Sequence, residues 1–293
     1  MISYNPKDWY KFIFNFHKAD TLRTLFPLLI VIGLYTWGVA WLEIEYFNLP
    51  KNEHLKNIST MHTLLSFAIS MLLVFRTNTA YDRWWEGRKL WGALVNNSRN
   101  LAMKLNSMLQ DNDKTDRHFF AKLIAMYASI LSQHLGTEET RLALDDHDHP
   151  ELKRLDTDKH IPNQVASLLT HRINRLYKEG KITGDQLIVL NGEMLSFTDI
   201  CGACERIKNT PIPYSYSAFL KKFIFLFSVT LPFSFAISLG YLAIPVVTII
   251  FYVLASLELI AEEIEDPFGD DPNDLPTRKI ASNIEKHVAE ILL

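Results

Sequence analysis

Uncharged apolar residues are concentrated in long stretches near the start of the chain and after a long polar middle. Each stretch is close to the roughly 20 residues that a helix needs to cross the apolar core of a bilayer. Helices buried in a soluble protein are the alternative, but such helices rarely run so far without a charge. The pattern therefore predicts four membrane spans, at residues 25–42, 58–75, 223–239 and 241–256.

The polar middle of the chain is predicted to be helical, because its apolar residues recur with a helical period and no long strand-like alternation occurs. Pro211 and Pro213 separate it from the third span. The sequence thus predicts an all-α membrane protein. Its parts are an N-terminal interfacial segment at 1–24, spans one and two at 25–75, a cytosolic helical domain at 76–222, spans three and four at 223–260, and an acidic turn with an amphipathic helix at 261–293.

Basic residues flank the spans on one side, which sets the expected orientation. By the positive-inside rule, both termini and the 76–222 block are expected to lie in the cytoplasm. The first 20 residues carry charges and Pro6 but no small-residue cleavage site, which favours an interfacial segment over a signal peptide. The basic residues that flank the spans are Lys18, Arg23, Arg76, Arg83, Arg88, Lys89, Lys221 and Lys222.

Composition excludes several function classes. A net charge of −3, with no basic block interleaved with aromatics, argues against nucleic-acid binding. Two cysteines are too few for a disulfide framework and fit a reducing compartment. They form the motif Cys201-Gly202-Ala203-Cys204 inside a predicted helix, without the βαβ context or the second cysteine pair that would favour a redox or metal role. The sequence contains no serine-nucleophile motif, phosphate loop or HExxH, so an enzyme is not expected.

Three bulky apolar residues recur every fourth position along span two: Phe67, Met71 and Phe75. This spacing places them on one face of the helix. A helix–helix packing face is one interpretation. The other is a narrow apolar constriction, formed when several copies of the chain surround a common axis, because four spans are too few to enclose a pore alone. Such a constriction can gate by dewetting.

An acidic turn follows span four and contains Asp270, Asp271 and Asp274. Carboxylates at this spacing can converge on a hard cation, so a divalent metal, calcium or zinc, is a candidate cofactor. The segment is not an EF-hand, and an ordinary turn rich in aspartate and proline explains it equally well. The His- and Asp-rich stretch at 145–149 is a weaker zinc candidate in a surface loop.

Three segments give the chain a family resemblance: SFAISMLLVFRTNTAYDRWWEGRKLWG, GACERIKNTPIPYSYS and ELIAEEIEDPFGDDPNDL. In this order they resemble the bestrophin family of ion channels in its shorter prokaryotic form. The resemblance implies a homopentamer in which five copies of the second span form a neck. The neck positions of the family fall on Phe67, Met71 and Phe75.

The resemblance also implies a second, cytosolic restriction close to Asp185, with Ile182 as the nearby apolar candidate. Animal members bind calcium where Asp270, Asp271 and Asp274 fall. The expected function is a pentameric channel of a bacterial inner membrane for small monovalent ions, with cations slightly favoured over chloride. Its partners are further copies of itself and the lipid bilayer. The alternatives are a secondary transporter and a membrane-anchored scaffold or signalling protein.

Overall fold

The computed structural model describes residues 21–47, 53–136, 156 and 158–293, with the backbone alone for 53–57. Within these ranges the chain forms eight α-helices and no strand, which confirms the all-α prediction. Residues 1–20 of the interfacial segment predicted at 1–24, and the acidic stretch at 145–149, lie outside the described residues. The helices are α1 (Thr21–Trp41), α2 (Glu53–Met108), α3 (Lys114–Leu135), α4 (Ile161–Lys178), α5 (Gly184–Asn209), α6 (Tyr214–Leu239), α7 (Ala243–Glu265) and α8 (Thr277–Leu292).

Among the described residues, four helical stretches are long and apolar enough to cross a membrane. Those at Thr21–Tyr46 and Ile58–Met108 contain predicted spans one and two, and Tyr214–Glu265 contains both later spans. A single helical turn at Gly240–Leu242 joins α6 to α7. Gly240 has a φ of 59°, which favours glycine and explains why this junction can be so short.

Helix α5 also meets the length and composition of a membrane span, although the sequence pattern assigned it to the cytosolic block. Its buried residues include Leu190, Phe197 and Cys204, and these pack in a core shared with α3 and α4. The helix begins with a capping box, in which Thr183 and Gln186 each accept a hydrogen bond from the other's backbone N–H.

The described chain divides into two compact units. The span unit consists of the described residues up to 83 together with 212–265, and the helical unit consists of 84–211 and 266–293. The predicted boundaries at 76 and 222 therefore differ from the observed ones, because Arg76 and Arg83 of α2 both contact α7. The C-terminal segment is part of the helical unit instead of a separate part.

The span unit is held together by apolar packing of α1, α6 and α7, which α2 joins through Ile69 and Leu73. In the helical unit, α8 lies along α3, and α4 packs between α3 and α5. The C-terminal amphipathic helix predicted from the sequence is present as α8. It buries one residue in each turn: Ala281, Ile284, Val288 and Leu292.

Candidate pore-lining face of helix α2

Helix α2 packs only one narrow face against its own span unit. The residues on this face are His62, Ile69, Leu73, Arg76 and Ala80, none more than 4% exposed. Their spacing of three, four or seven residues keeps them in line along the helix. The rest of the circumference between Ser59 and Asp82 is mostly exposed.

The predicted stripe lies on the opposite face. With about 100° of rotation per residue, Phe67, Met71 and Phe75 are centred roughly half a turn away from the buried line. Phe67 is 73% exposed, Met71 50% and Phe75 54%. Among the described residues, the three side chains therefore leave half or more of their surface unpacked. They are free to face lipid or further copies of the chain.

The hydroxyl groups on this part of α2 are satisfied by the helix itself. Ser66 and Ser70 each donate to the carbonyl four residues earlier, at 2.7 Å, and Thr79 donates to the carbonyl of Phe75 at 2.9 Å. Such bonds are common in helices whose polar side chains have no water molecules with which to form hydrogen bonds. The exposed face is consequently more apolar than its composition suggests.

Arg76 is a buried cation, at 1% exposure, directly after the last residue of the stripe. Its guanidinium lies 2.7 Å from the carboxylate of Glu265 and 3.5 Å from that of Glu258, both on α7. Glu265 also accepts a hydrogen bond from the backbone N–H of Ile212. A buried arginine with two carboxylates fixes how α2 is rotated against α7, because turning it away would leave buried charges unpaired. Sequence analysis placed Arg76 at the membrane edge and missed this role.

The exposed face continues beyond the apolar stripe as polar residues. Asn78 and Asp82 lie three and seven residues after Phe75, which keeps them on the same face of the helix, and both are exposed. Neither side chain was singled out from the sequence. The signal that would have found them is the same face of the helix, followed three and seven residues beyond Phe75.

The two residues predicted for a cytosolic restriction have different environments. Asp185 is exposed in the first turn of α5. Ile182 is 4% exposed and belongs to the core of the helical unit, so its side chain is not available at the surface of its own chain. Ile182 is therefore corrected to a core residue, and Asp185 alone stays a candidate.

The acidic turn is folded around Asp274, which is 2% exposed. One of its carboxylate oxygens accepts a hydrogen bond from the backbone N–H of Asp271 at 2.6 Å. The turn approaches so closely that a Cβ atom on Gly269 would lie 2.7 Å from the same oxygen, which only glycine avoids. Trp84 holds the turn from α2 by donating its indole N–H to the carbonyl of Asn273. Burial raises the pKa of Asp274 to about 7.

The three predicted metal ligands of this turn do not converge. Asp270 extends to Arg278 at 3.1 Å, and Asp271 is exposed, whereas Asp274 points into the protein. In the described part of the chain, the side chains of Asp270, Asp271 and Asp274 form no group close enough to share one ion. The arrangement does not fit a calcium ion, and no step of the function is derived through one.

Cys201 and Cys204, the other predicted candidate pair, lie in the core of the helical unit at 2% and 0% exposure. Both are free thiols. Buried free cysteines of this kind contribute to the packing of an apolar core.

Comparison with known proteins extends over nearly the whole chain. Residues 1–290 match the family model described as bacterial and fungal bestrophin protein. The chain belongs to the bestrophin family. This assignment makes it an ion channel of a bacterial membrane and not an enzyme, as the sequence predicted.

Relatives of this bestrophin include curated proteins of similar length. A voltage-dependent anion channel-forming protein from Synechocystis is 34% identical, over 99% of this chain and 94% of the relative. Another from Nostoc is 31% identical, over 97% and 92%. A bacterial bestrophin homologue from Klebsiella pneumoniae, solved as a variant, superposes with a TM-score of 0.77 at 25% identity and covers 92% of this chain and 99% of its own.

Proposed function

We propose that this bestrophin is a homopentameric channel of the bacterial inner membrane for small monovalent ions. Five copies of α2 surround the axis, with both termini of each chain in the cytoplasm. Rings of Phe67, Met71 and Phe75 form a hydrophobic gate. The orientation of α2 supports this proposal, because the helix buries Arg76 and Leu73 against its own span unit and leaves the bulky stripe exposed on the opposite face.

The stripe gates the channel by controlling water. A narrow bore lined with aromatic rings and thioethers offers no hydrogen bond to a permeating ion or its hydration shell. Water therefore leaves such a bore readily, and an ion cannot pass through the dry bore, because it would lose its hydration shell. Met71, in the middle, is the most flexible of the three and lets the ring widen without moving the helix backbone.

Cations are slightly favoured over chloride in this proposal. With the stripe on the axis, the exposed carboxylate of Asp82 forms a ring two helical turns beyond Phe75, and Asp185 adds a second ring in the helical unit. Negative rings raise the local concentration of cations. The relatives are named as anion channel-forming proteins. A preference for cations over anions would therefore distinguish this bestrophin from them.

Enlarging the bore tests the proposal. The triple variant Phe67→Ala, Met71→Ala, Phe75→Ala is expected to conduct several-fold more than the natural protein in a liposome flux assay, because wider apolar rings oppose wetting less. The matched control is Leu34→Ala, Phe225→Ala, Leu226→Ala, which truncates three exposed apolar residues of α1 and α6. Its flux is expected to stay unchanged.

Unchanged or lower flux in a triple variant that still assembles would contradict the gate. Planar-bilayer recording of the natural protein distinguishes the classes: stepwise currents support a channel, saturable ion-coupled uptake supports a transporter, and silent bilayers support a scaffold. Reversal potentials under a salt gradient give the sign of the selectivity.

A further inference from the structure

Three side chains from separate helix ends meet in the helical unit. His134 lies in the last turn of α3, His160 is the N-cap of α4, and Glu205 lies in the last turns of α5. The Nε2 atoms of His134 and His160 lie 2.6 Å and 2.5 Å from the same oxygen, Oε1 of Glu205. The two imidazole rings are tilted against each other with centroids 4.7 Å apart.

We propose that His134, His160 and Glu205 bind a transition-metal ion of the zinc type. Two imidazole nitrogens and one carboxylate oxygen form a ligand set that suits zinc and its neighbours in the first row, whereas calcium and magnesium require oxygen ligands. One ligand atom from each residue lies within 4.8 Å of the others. This site shares no residue with the acidic turn, and it does not depend on the proposed channel function.

The geometry requires only a small adjustment. Zinc binds nitrogen and oxygen at about 2.0–2.2 Å, which separates tetrahedral ligand atoms by roughly 3.3 Å. Glu205 and the two imidazoles therefore need to move apart by less than about 1 Å. The side chains are 22–34% exposed, which leaves a fourth position open to water.

The metal-free cluster has its own hydrogen bonds, and these give the proposal a signature. The backbone N–H of Asn163 donates to Nδ1 of His160 at 3.2 Å, capping α4. With Nδ1 as acceptor, the neutral ring carries its proton on Nε2, which donates to Glu205. A metal at Nε2 moves that proton to Nδ1 and ends the capping bond. Metal binding is therefore expected to speed hydrogen exchange at the amide of Asn163.

The site would join the ends of three helices. Residues 134 and 160 flank a long connection, and Glu205 lies close to the point where α5 ends. An ion held by all three would tie α3, α4 and α5 at one corner of the helical unit. We expect bound zinc to raise the thermal unfolding temperature of the full chain, because an ion that binds only the folded state stabilises it.

The test uses the full chain without a histidine tag, in detergent, stripped with a chelator and titrated with Zn²⁺ by calorimetry. One ion per chain is expected. His134→Gln, His160→Gln and Glu205→Gln should each weaken binding by more than about tenfold, because even outer-shell changes cost 10–100-fold. Co²⁺ in place of zinc should give visible absorption bands typical of nitrogen and oxygen ligation, and the three variants should lose them.

Two controls separate this site from other histidines. His118→Gln and His171→Gln alter exposed histidines on α3 and α4 and should leave binding unchanged. The double variant His147→Gln, His149→Gln should also keep it. Equal zinc affinity in the natural chain, His134→Gln and His160→Gln would overturn the proposal, as would loss of binding in the His147→Gln, His149→Gln variant alone. If a histidine variant fails to assemble, Glu205→Gln decides the test, because it keeps the size of the side chain.

Discussion

The carboxyl group of Asp274 lies in an environment that disfavours its charged form. It is buried beneath Gly269 and receives one backbone hydrogen bond, and one of its oxygens has no hydrogen-bond partner among the described residues. Burial raises its pKa from the ordinary value of 3.8 to about 7. The folded protein therefore keeps a proton that the unfolded chain has already released between about pH 4 and pH 7.

The expected consequence is a stability that falls as the pH rises through this window. Asp274→Asn removes the charge but keeps the shape and the acceptor. The variant should match the natural chain near pH 4 and unfold several degrees higher at pH 8, since about 1 kcal/mol shifts the unfolding temperature by roughly 2–4 °C in a unit of this size. Thermal unfolding in the presence of a chelator measures this.

Asp271→Asn, in the same turn but exposed, is the control and should show no such pH dependence. An equal shift of Asp274→Asn at pH 5 and pH 8 would mean that the carboxyl titrates normally in the folded protein.

At the scale of helices, α2 combines features that the sequence predicted with others that it did not. The stripe of Phe67, Met71 and Phe75 follows from spacing alone, and the structure leaves all three exposed. Their position on a shared axis stays a prediction. The burial of Arg76 could not be predicted, because its partners on α7 are almost 190 residues away in the chain. Local periodicity carries no information on such pairs.

The line of exposed residues on α2 gives a prediction about selectivity. Asp82→Asn should shift the reversal potential towards that of chloride, because in the proposed pentamer it removes a negative charge from every copy of α2 around the axis. The shift should be largest at low ionic strength, since about 0.1 M salt already screens exposed charges beyond roughly 10 Å. Recordings under a potassium chloride gradient measure it.

Glu262→Gln is the matched control, because it neutralises an exposed carboxylate on α7 that already pairs with Lys221 at 2.8 Å. A reversal potential that Asp82→Asn leaves unchanged, in an assembled and conducting channel, would remove this aspartate from the selectivity mechanism.

At the scale of the whole molecule, the all-α class and the approximate positions of the spans could be predicted, because both depend on composition along the chain. The unit boundaries could not, since they depend on pairs such as Arg83 with the carbonyl of Glu265. The cluster of His134, His160 and Glu205 was missed for the same reason: its members are separated by 26 and 45 residues and meet only in the folded chain. Ile182 was misplaced because a register argument does not show which way a side chain points.

The proposed assembly can be tested by cross-linking. A single Met71→Cys should give covalent dimers with a short bifunctional maleimide, because neighbouring copies bring this position close to the axis. The natural cysteines, Cys201 and Cys204, are buried and should not interfere. Leu226→Cys, on an exposed apolar position of α6, should stay monomeric under the same conditions. Equal cross-linking at both positions, or none at Met71→Cys, would contradict a shared axis, and native mass spectrometry should count five chains.

The pairing of Arg76 with Glu258 and Glu265 also limits how such a channel could open. Swivelling α2 about its long axis would carry the guanidinium out of reach of both carboxylates and strand three charges in an apolar interior. This rotation of α2 is therefore too unfavourable in free energy to occur at ordinary temperatures. In the proposed pentamer, a stimulus would have to spread the five copies of α2 apart or hydrate the space between them, while each copy keeps the same side turned to the centre.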